Sequence, residues 1–330
     1  MNADFRIAAP QWGTRLGRLV IGCCCFLGIV GITPEARATT YSFTFLTNPT
    51  EDPRPVAANG INNSGQIVGS IYNAVGGFLY TGGTYTTIDV PGSVQTNIWG
   101  INNRGKVSGD YADNVNGSTY LFTYKNGVYK NIDVPGVSFD QIFGINNRGE
   151  IVGTEVPAGG GVQGILYSHG TVTPITDPNV DSADYTIPFG INDKGEIVGY
   201  AYGNDGYQGF LDKNGIFSVV SDPGVTVPGD GLIVPTDIND KGQIVGSFGN
   251  EGFIETNGVF DFINISNAED TEIRSINNKG DIVGEADFGG SDEYAFEGVP
   301  DVNPVPIPPT LPLFAAIVAG LGVAGRRRRV

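Results

Sequence analysis

One ten-residue phrase occurs six times in this chain: at 60–69 (GINNSGQIVG), 100–109 (GINNRGKVSG), 144–153 (GINNRGEIVG), 190–199 (GINDKGEIVG), 237–246 (DINDKGQIVG) and 275–284 (SINNKGDIVG). Successive copies start 40, 44, 46, 47 and 38 residues apart. A period of this size with strand-like content marks the blades of a β-propeller. It is too long for leucine-rich repeats, and it lacks the helical periodicity of HEAT or armadillo units. Composition agrees. With 50 glycines and only 16% charged residues, the chain favours short strands and tight turns, and its 40% hydrophobic content supplies a core.

Each phrase reads as a hairpin. Ile61-Asn62 ends one strand, Asn63-Ser64-Gly65 turns with Gly65 free to take positive φ, and Gln66-Ile67-Val68 opens the next strand. Asn62 and its five counterparts are placed to cap the turn with their side-chain amides. The six isoleucines Ile61, Ile101, Ile145, Ile191, Ile238 and Ile276 are expected between blades. A second hairpin follows in each unit. It turns first at Thr81-Gly82-Gly83, then at Lys125-Asn126-Gly127, Ser168-His169-Gly170, Lys213-Asn214-Gly215 and Thr256-Asn257-Gly258. Two hairpins per unit give a four-stranded antiparallel blade. The segments after Val90-Pro91-Gly92 and Val134-Pro135-Gly136 are expected to cross to the next blade.

Five units are complete, and the sixth has only three strands, ending at Tyr294-Ala295-Phe296. The missing strand stands at the other end of the repeats, in residues 41–46 (YSFTFL). The expectation is an all-β, six-bladed propeller whose N-terminal strand completes the last blade and removes the open edge. An open β-solenoid is the alternative.

Both ends look like addresses. Arg6, Arg15 and Arg18 precede an apolar run over residues 19–32, and Ala36-x-Ala38 offers a cleavage site, the pattern of a secretory signal peptide. An uncleaved anchor is the alternative. The three cysteines, Cys23, Cys24 and Cys25, all fall in this leader, so a mature domain would hold no disulfide. At the far end, Val305-Pro306-Ile307-Pro308-Pro309-Thr310-Leu311-Pro312-Leu313-Phe314 leads into an apolar stretch and the cluster Arg326, Arg327, Arg328, Arg329. This order resembles the PEP-CTERM sorting signals of Gram-negative bacteria, in their VPxPxTLPLF form, with Ile307 in place of the usual Glu. The resemblance implies an inner-membrane-anchored intermediate, processing by an exosortase-type enzyme and delivery to the cell surface or extracellular matrix. The repeats themselves resemble the bacterial extracellular HAF repeats, which share the GINxxGxIVG hairpin followed by a Gly/Ala-Phe strand (Gly77-Phe78, Gly209-Phe210, Gly252-Phe253, Ala295-Phe296). No copy carries an intact His-Ala-Phe triplet, and this resemblance implies a propeller and an extracellular location without an activity. The chain thus divides into a signal peptide (1–38), the propeller (39–298), a Pro-rich linker (299–308) and a transmembrane sorting tail (309–330).

Candidate chemistry is sparse. His169 is the only histidine and falls at a hairpin tip, so neither a Ser-His-Asp triad nor a zinc or copper site is expected. Residues 39–325 carry 11 basic and 33 acidic side chains, a net −22, the wrong sign for nucleic acid. Seven of the basic residues (Arg104, Lys125, Arg148, Lys194, Lys213, Lys241, Lys279) sit in the tight turns, which all open on one face. The longer loops of the opposite face carry acids such as Asp110, Asp113, Asp177, Asp181, Asp184, Asp222 and Asp287. Long loops on a rigid scaffold are where recognition resides. Asp110 with Asp113, and Asp181 with Asp184, are the candidate Ca²⁺ ligands, although neither loop matches an EF-hand. No other cofactor is expected. Trp99, Phe143 and Phe189, just ahead of three of the phrases, are read as inter-blade core, with a sugar-stacking platform as the alternative. Taken together, the expectation is a non-catalytic cell-surface or exopolysaccharide-matrix protein. The rivals are a calcium-dependent or lectin-like polysaccharide-binding module and an extracellular hydrolase or lyase using acidic residues.

Overall fold

In the computed structural model, residues 40–46, 56–71, 75–113, 119–179, 185–203, 206–222, 232–289 and 293–301 are described. The described residues form six four-stranded antiparallel sheets and no helix. Five sheets take their strands in chain order, and the sixth pairs Asp270–Ile276, Ile282–Asp287 and Glu293–Pro300 with the N-terminal strand Tyr41–Phe45. The six sheets are the blades of a β-propeller. Their first strands lie side by side around the axis, with Asp270–Ile276 of blade six beside Val56–Ile61 of blade one.

The closing strand sits as the sequence predicts. Phe45 is the register partner of Phe296, and the Phe43 and Phe296 rings meet edge to face at 5.4 Å. The seam is also a core. Leu46, Val56, Ile61, Ile67 and Phe78 pack in one buried cluster with Val283 and Ala295 of blade six.

Both hairpin types follow from their turn residues. In the repeated phrase, Gly65 takes φ +71° and donates to the Asn62 carbonyl at 3.0 Å, while the Asn62 N–H donates to the Gln66 carbonyl at 3.0 Å. Asn62 Oδ1 accepts from the Ser64 and Gln66 N–H groups at 3.0 and 3.1 Å, and the other five copies repeat this cap. The second hairpins turn on two residues with positive φ, for example Asn126 (49°) and Gly127 (83°), the type I′ geometry that matches strand twist. His169 occupies such a turn with φ 52°, exposed, its Nδ1 3.0 Å from Ser168 Oγ. All six isoleucines of the phrase are buried.

Two details depart from expectation. The segment after Val90-Pro91-Gly92 is mostly not a crossover, because the first strand of blade two already begins at Ser93. Further, every first strand carries a β-bulge just ahead of the phrase's isoleucine, with register shifts between Ala58/Gly60, Ile98/Gly100, Ile142/Ile145, Pro188/Gly190, Pro235/Asp237 and Ile273/Ser275. Opposite each bulge stands the phrase's last glycine. A Cβ on Gly69, Gly109, Gly153, Gly199, Gly246 or Gly284 would overlap a carbonyl oxygen of the bulged strand. Among the described residues no helix is long and apolar enough to cross a membrane; the leader and the sorting tail lie outside them.

Candidate binding pocket on the propeller axis

A bulge leaves one residue unpaired and re-aims its side chain. Here the residues passed over are Asn59, Trp99, Phe143 (with Gly144), Phe189, Thr236 and Arg274. All six line one cavity on the axis, of about 390 Å³. Their order around the ring separates two arcs. Blades two, three and four contribute Trp99, Phe143 and Phe189, whose rings meet at 6.1 and 4.8 Å. Blades five, six and one contribute Thr236, Arg274 and Asn59. The three aromatics therefore bridge neighbouring blades, as expected, and also remain half-buried on the cavity wall.

Two closed rings of hydrogen bonds surround the axis at the tight-turn end. Asn62 Nδ2 donates to the Asn102 carbonyl (3.2 Å), Asn102 to Asn146 (2.9 Å), Asn146 to Asn192 (3.1 Å), Asn192 to Asn239 (3.1 Å), Asn239 to Asn277 (3.0 Å), and Asn277 back to Asn62 (3.1 Å). In the second ring each following residue's N–H donates to the next blade's side chain. It runs Asn63, Asn103, Asn147, Asp193, Asp240, Asn278 and back to Asn63, at 2.7 or 2.8 Å throughout. The last step of each ring, across the seam, is as short as the others. The carboxylates of Asp193 and Asp240 also accept from Asn147 Nδ2 and Asn278 Nδ2, both at 2.6 Å.

The polar arc is tied down by charge-assisted bonds. Asp237 replaces the phrase's first glycine and accepts from Ser275 Oγ (2.6 Å) and from the Ile276 (3.1 Å) and Ile238 (2.8 Å) N–H groups. Burial pushes its carboxyl up to about 6, against the pull of those three bonds. Arg274 Nη2 holds Glu285 at 2.7 Å and Glu272 at 3.3 Å. Burial lifts Glu285 to about 7, Arg274 opposes the rise, and Glu293 and Glu272 add to it. Asn59 Nδ2 donates to the Ile98 carbonyl at 2.8 Å, but its buried Oδ1 has no hydrogen-bond partner.

The candidate calcium ligands fall in different places. Asp110 is buried, accepts from Asn97 Nδ2 at 2.8 Å and from Trp99 Nε1, and so fixes the indole on the cavity wall. Burial raises its carboxyl, and the two bonds oppose the rise. Asp113 ends the same strand, Val107–Asp113, three residues on, which turns it to the opposite sheet face. Asp181 and Asp184 lie outside the described residues, as do Ala36, Ala38, Val305, Pro306, Pro308 and Arg326 to Arg329. Among the described residues no three His, Cys, Asp or Glu side chains gather in a metal-binding group.

The facial charge expectation holds in part. The seven turn cations are all exposed. Their face also carries Asp193 and Asp240 on the axis, and Glu150 and Glu196, which pair with Arg148 (2.6 Å) and Lys213 (3.4 Å). On the opposite face Asp110 and Asp177 are buried, so they add nothing to an acidic surface. The sequence reading also missed Asn59, Thr236, Arg274 and Asp237. The one available signal was the fixed glycine across from each bulge.

No protein-family model matches the chain, and neither does any curated protein sequence. Solved structures similar to it include virginiamycin B lyase from Staphylococcus aureus (13% identity, 79% of this chain and 99% of that one, TM-score 0.46). Others are a gluconolactonase from Xanthomonas campestris (13%, 81% and 92%, TM-score 0.49) and the fucose-specific lectin of Aleuria aurantia (12%, 77% and 80%, TM-score 0.33). None of these likenesses carries anything about the site of this chain.

Proposed function

We propose that the chain is a non-catalytic binding protein of the Gram-negative cell surface or its exopolysaccharide matrix, and that the axial pocket holds its ligand. The observation that carries this reading is the pocket wall itself: three aromatic rings on one arc, and Thr236, Arg274 and Asn59 on the other. A concavity in which an apolar wall faces convergent polar groups is a form that ligand sites take. The leader, the VPxPxTLPLF-like tail and the HAF-like repeats support the location. The binding reading is supported by the engagement of the pocket's carboxylates, since Asp193, Asp237, Asp240 and Glu272 all bond within the wall. One observation favours a hydrolase or lyase instead: Glu285, raised to about 7, lies beside Glu293.

The test exposes the purified chain to the host's isolated surface polymer, with and without calcium, and follows both binding and polymer length. The expected result is binding that survives chelation, leaves the polymer uncut, and weakens about tenfold or more in Phe143→Ala. Shortening of the polymer that stops in Glu285→Gln assigns the chain to the enzymes. Binding that is untouched in a folded Phe143→Ala removes the pocket from the account.

A further inference from the structure

The aromatic arc does not end inside the cavity. Phe189 meets Tyr200 at 5.5 Å, Tyr200 meets Tyr207 at 5.6 Å, Tyr207 meets Tyr202 at 4.6 Å, and Tyr202 stacks on Tyr185 at 5.4 Å. Seven rings thus run without a break from Trp99 on the axis to the long-loop face of blade four, where Tyr207 is 50% exposed. Blade two also holds a run of rings, Tyr120, Tyr111, Phe122, Tyr129 and Tyr124, but among the described residues only the run of blade four joins the aromatics of the cavity. The position held by Tyr200, just after the phrase's last glycine, is Ser70, Asp110, Thr154, Ser247 and Glu285 elsewhere. The four tyrosines come from three strands, Tyr185–Ile191, Glu196–Gly203 and Gly206–Lys213, and the hydroxyls of Tyr185 and Tyr207 stand 3.3 Å apart.

Resting on the binding reading above, we infer that this track and the pocket together hold a saccharide chain without acidic groups, its rings lying along the aromatics and its inner end in the cavity. Two features select that chemistry. Sugar rings present C–H faces to aromatic rings and hydroxyls at their rims, which suits a surface with an apolar arc facing a polar one. The cavity wall bears Asp193, Asp237, Asp240 and Glu272 against the single cation Arg274, in a chain of net charge −16, so uronate or sulfate groups are repelled.

Trp99 is the only tryptophan in residues 39–330 and reports binding by its fluorescence. The probes are cellohexaose, fully deacetylated chitohexaose, a hexamer of galacturonate, and the disaccharide cellobiose. The expected result is that a neutral or amine-bearing hexamer shifts the Trp99 emission, binds at least about tenfold tighter than the disaccharide, and outcompetes the galacturonate hexamer. Tyr207→Ala should lower hexamer affinity about tenfold while leaving cellobiose unchanged, because Tyr207 is half exposed on the track and does not line the cavity that holds the inner end. The inference is overturned if no non-acidic hexamer binds, if the galacturonate hexamer binds as tightly, or if Tyr207→Ala binds the hexamer like the parent. If it fails while the surface polymer still requires Phe143, the pocket stands as a binding site and only the saccharide track is lost.

Discussion

At the scale of the residue, the phrase's first asparagine does two jobs with one amide. In blade three, Asn146 Oδ1 accepts from the N–H groups of Arg148 and Glu150, and its Nδ2 donates to the Asn192 carbonyl of the next blade. Asn146 is 4% exposed, so each lost bond leaves a buried group unsatisfied. Asn146→Ala should lower stability by about 2–4 kcal/mol in chemical denaturation. Asn146→Asp keeps the acceptor but loses the donor and sets a second carboxylate against Glu150, which Asn146 Nδ2 now holds at 2.7 Å, so at neutral pH it should cost at least as much as Ala. A second residue-scale effect is pH dependence. Glu285 rises from 4.5 to about 7 and Asp237 from 3.8 to about 6 on folding, so both hold their protons more tightly in the native state. Their contribution is complete at acid pH and is lost as pH climbs through the folded values. In Glu285→Gln, the loss of melting temperature between about pH 4.5 and pH 7 should become shallower than in the parent. A parallel shift at all pH values would show that Glu285 does not carry it.

At the scale of the element, the bulge and the glycine opposite it form one device. The bulge turns Thr236 into the cavity, and Gly246 makes room for the Val234 carbonyl that the bulge displaces. Gly246→Ala drives a methyl group into that carbonyl and against the Phe253 ring. It should cost about 2–4 kcal/mol and weaken ligand binding together with stability, measured by denaturation and titration of the same sample. This device also explains what the sequence made legible. Turns announce themselves locally, through Gly65 at positive φ or the Asn126-Gly127 pair, so the hairpins and their period could be read directly. A bulge depends on which residues pair across strands, and Asn59, Trp99 and Arg274 differ in chemistry, so no pattern joined them. The tyrosine cluster was hidden for the same reason, since Tyr185, Tyr200, Tyr202 and Tyr207 meet only after pairing of Tyr185 with Tyr202 and of Tyr202 with Tyr207. Asp110 was read as a surface acid because charge in a loop-adjacent strand is usually solvated. Its bonds to Asn97 and Trp99 lie across the strand pair.

At the scale of the whole molecule, everything on the axis depends on the ring being closed. The two hydrogen-bond rings return from Asn277 to Asn62 and from Asn278 to Asn63, and Arg274 reaches the same cavity as Asn59 only because blade six abuts blade one. Closure was legible because it is a counting problem. Six phrases, a last unit of only three strands and a lone strand ahead of the first unit leave one solution without an open edge. The most direct test joins the two ends of that solution. Thr44 and Glu297 are register partners in the closing strand pair, and the native cysteines lie only at 23–25. In a chain lacking the native cysteines and carrying Thr44→Cys and Glu297→Cys, oxidation should yield an intramolecular disulfide in monomeric protein. Because that bond closes almost the whole described chain, it should stabilise the fold by up to about 5 kcal/mol. Free thiols under conditions that oxidise exposed pairs, or disulfides formed only between molecules, would contradict the closed ring and the axial pocket with it.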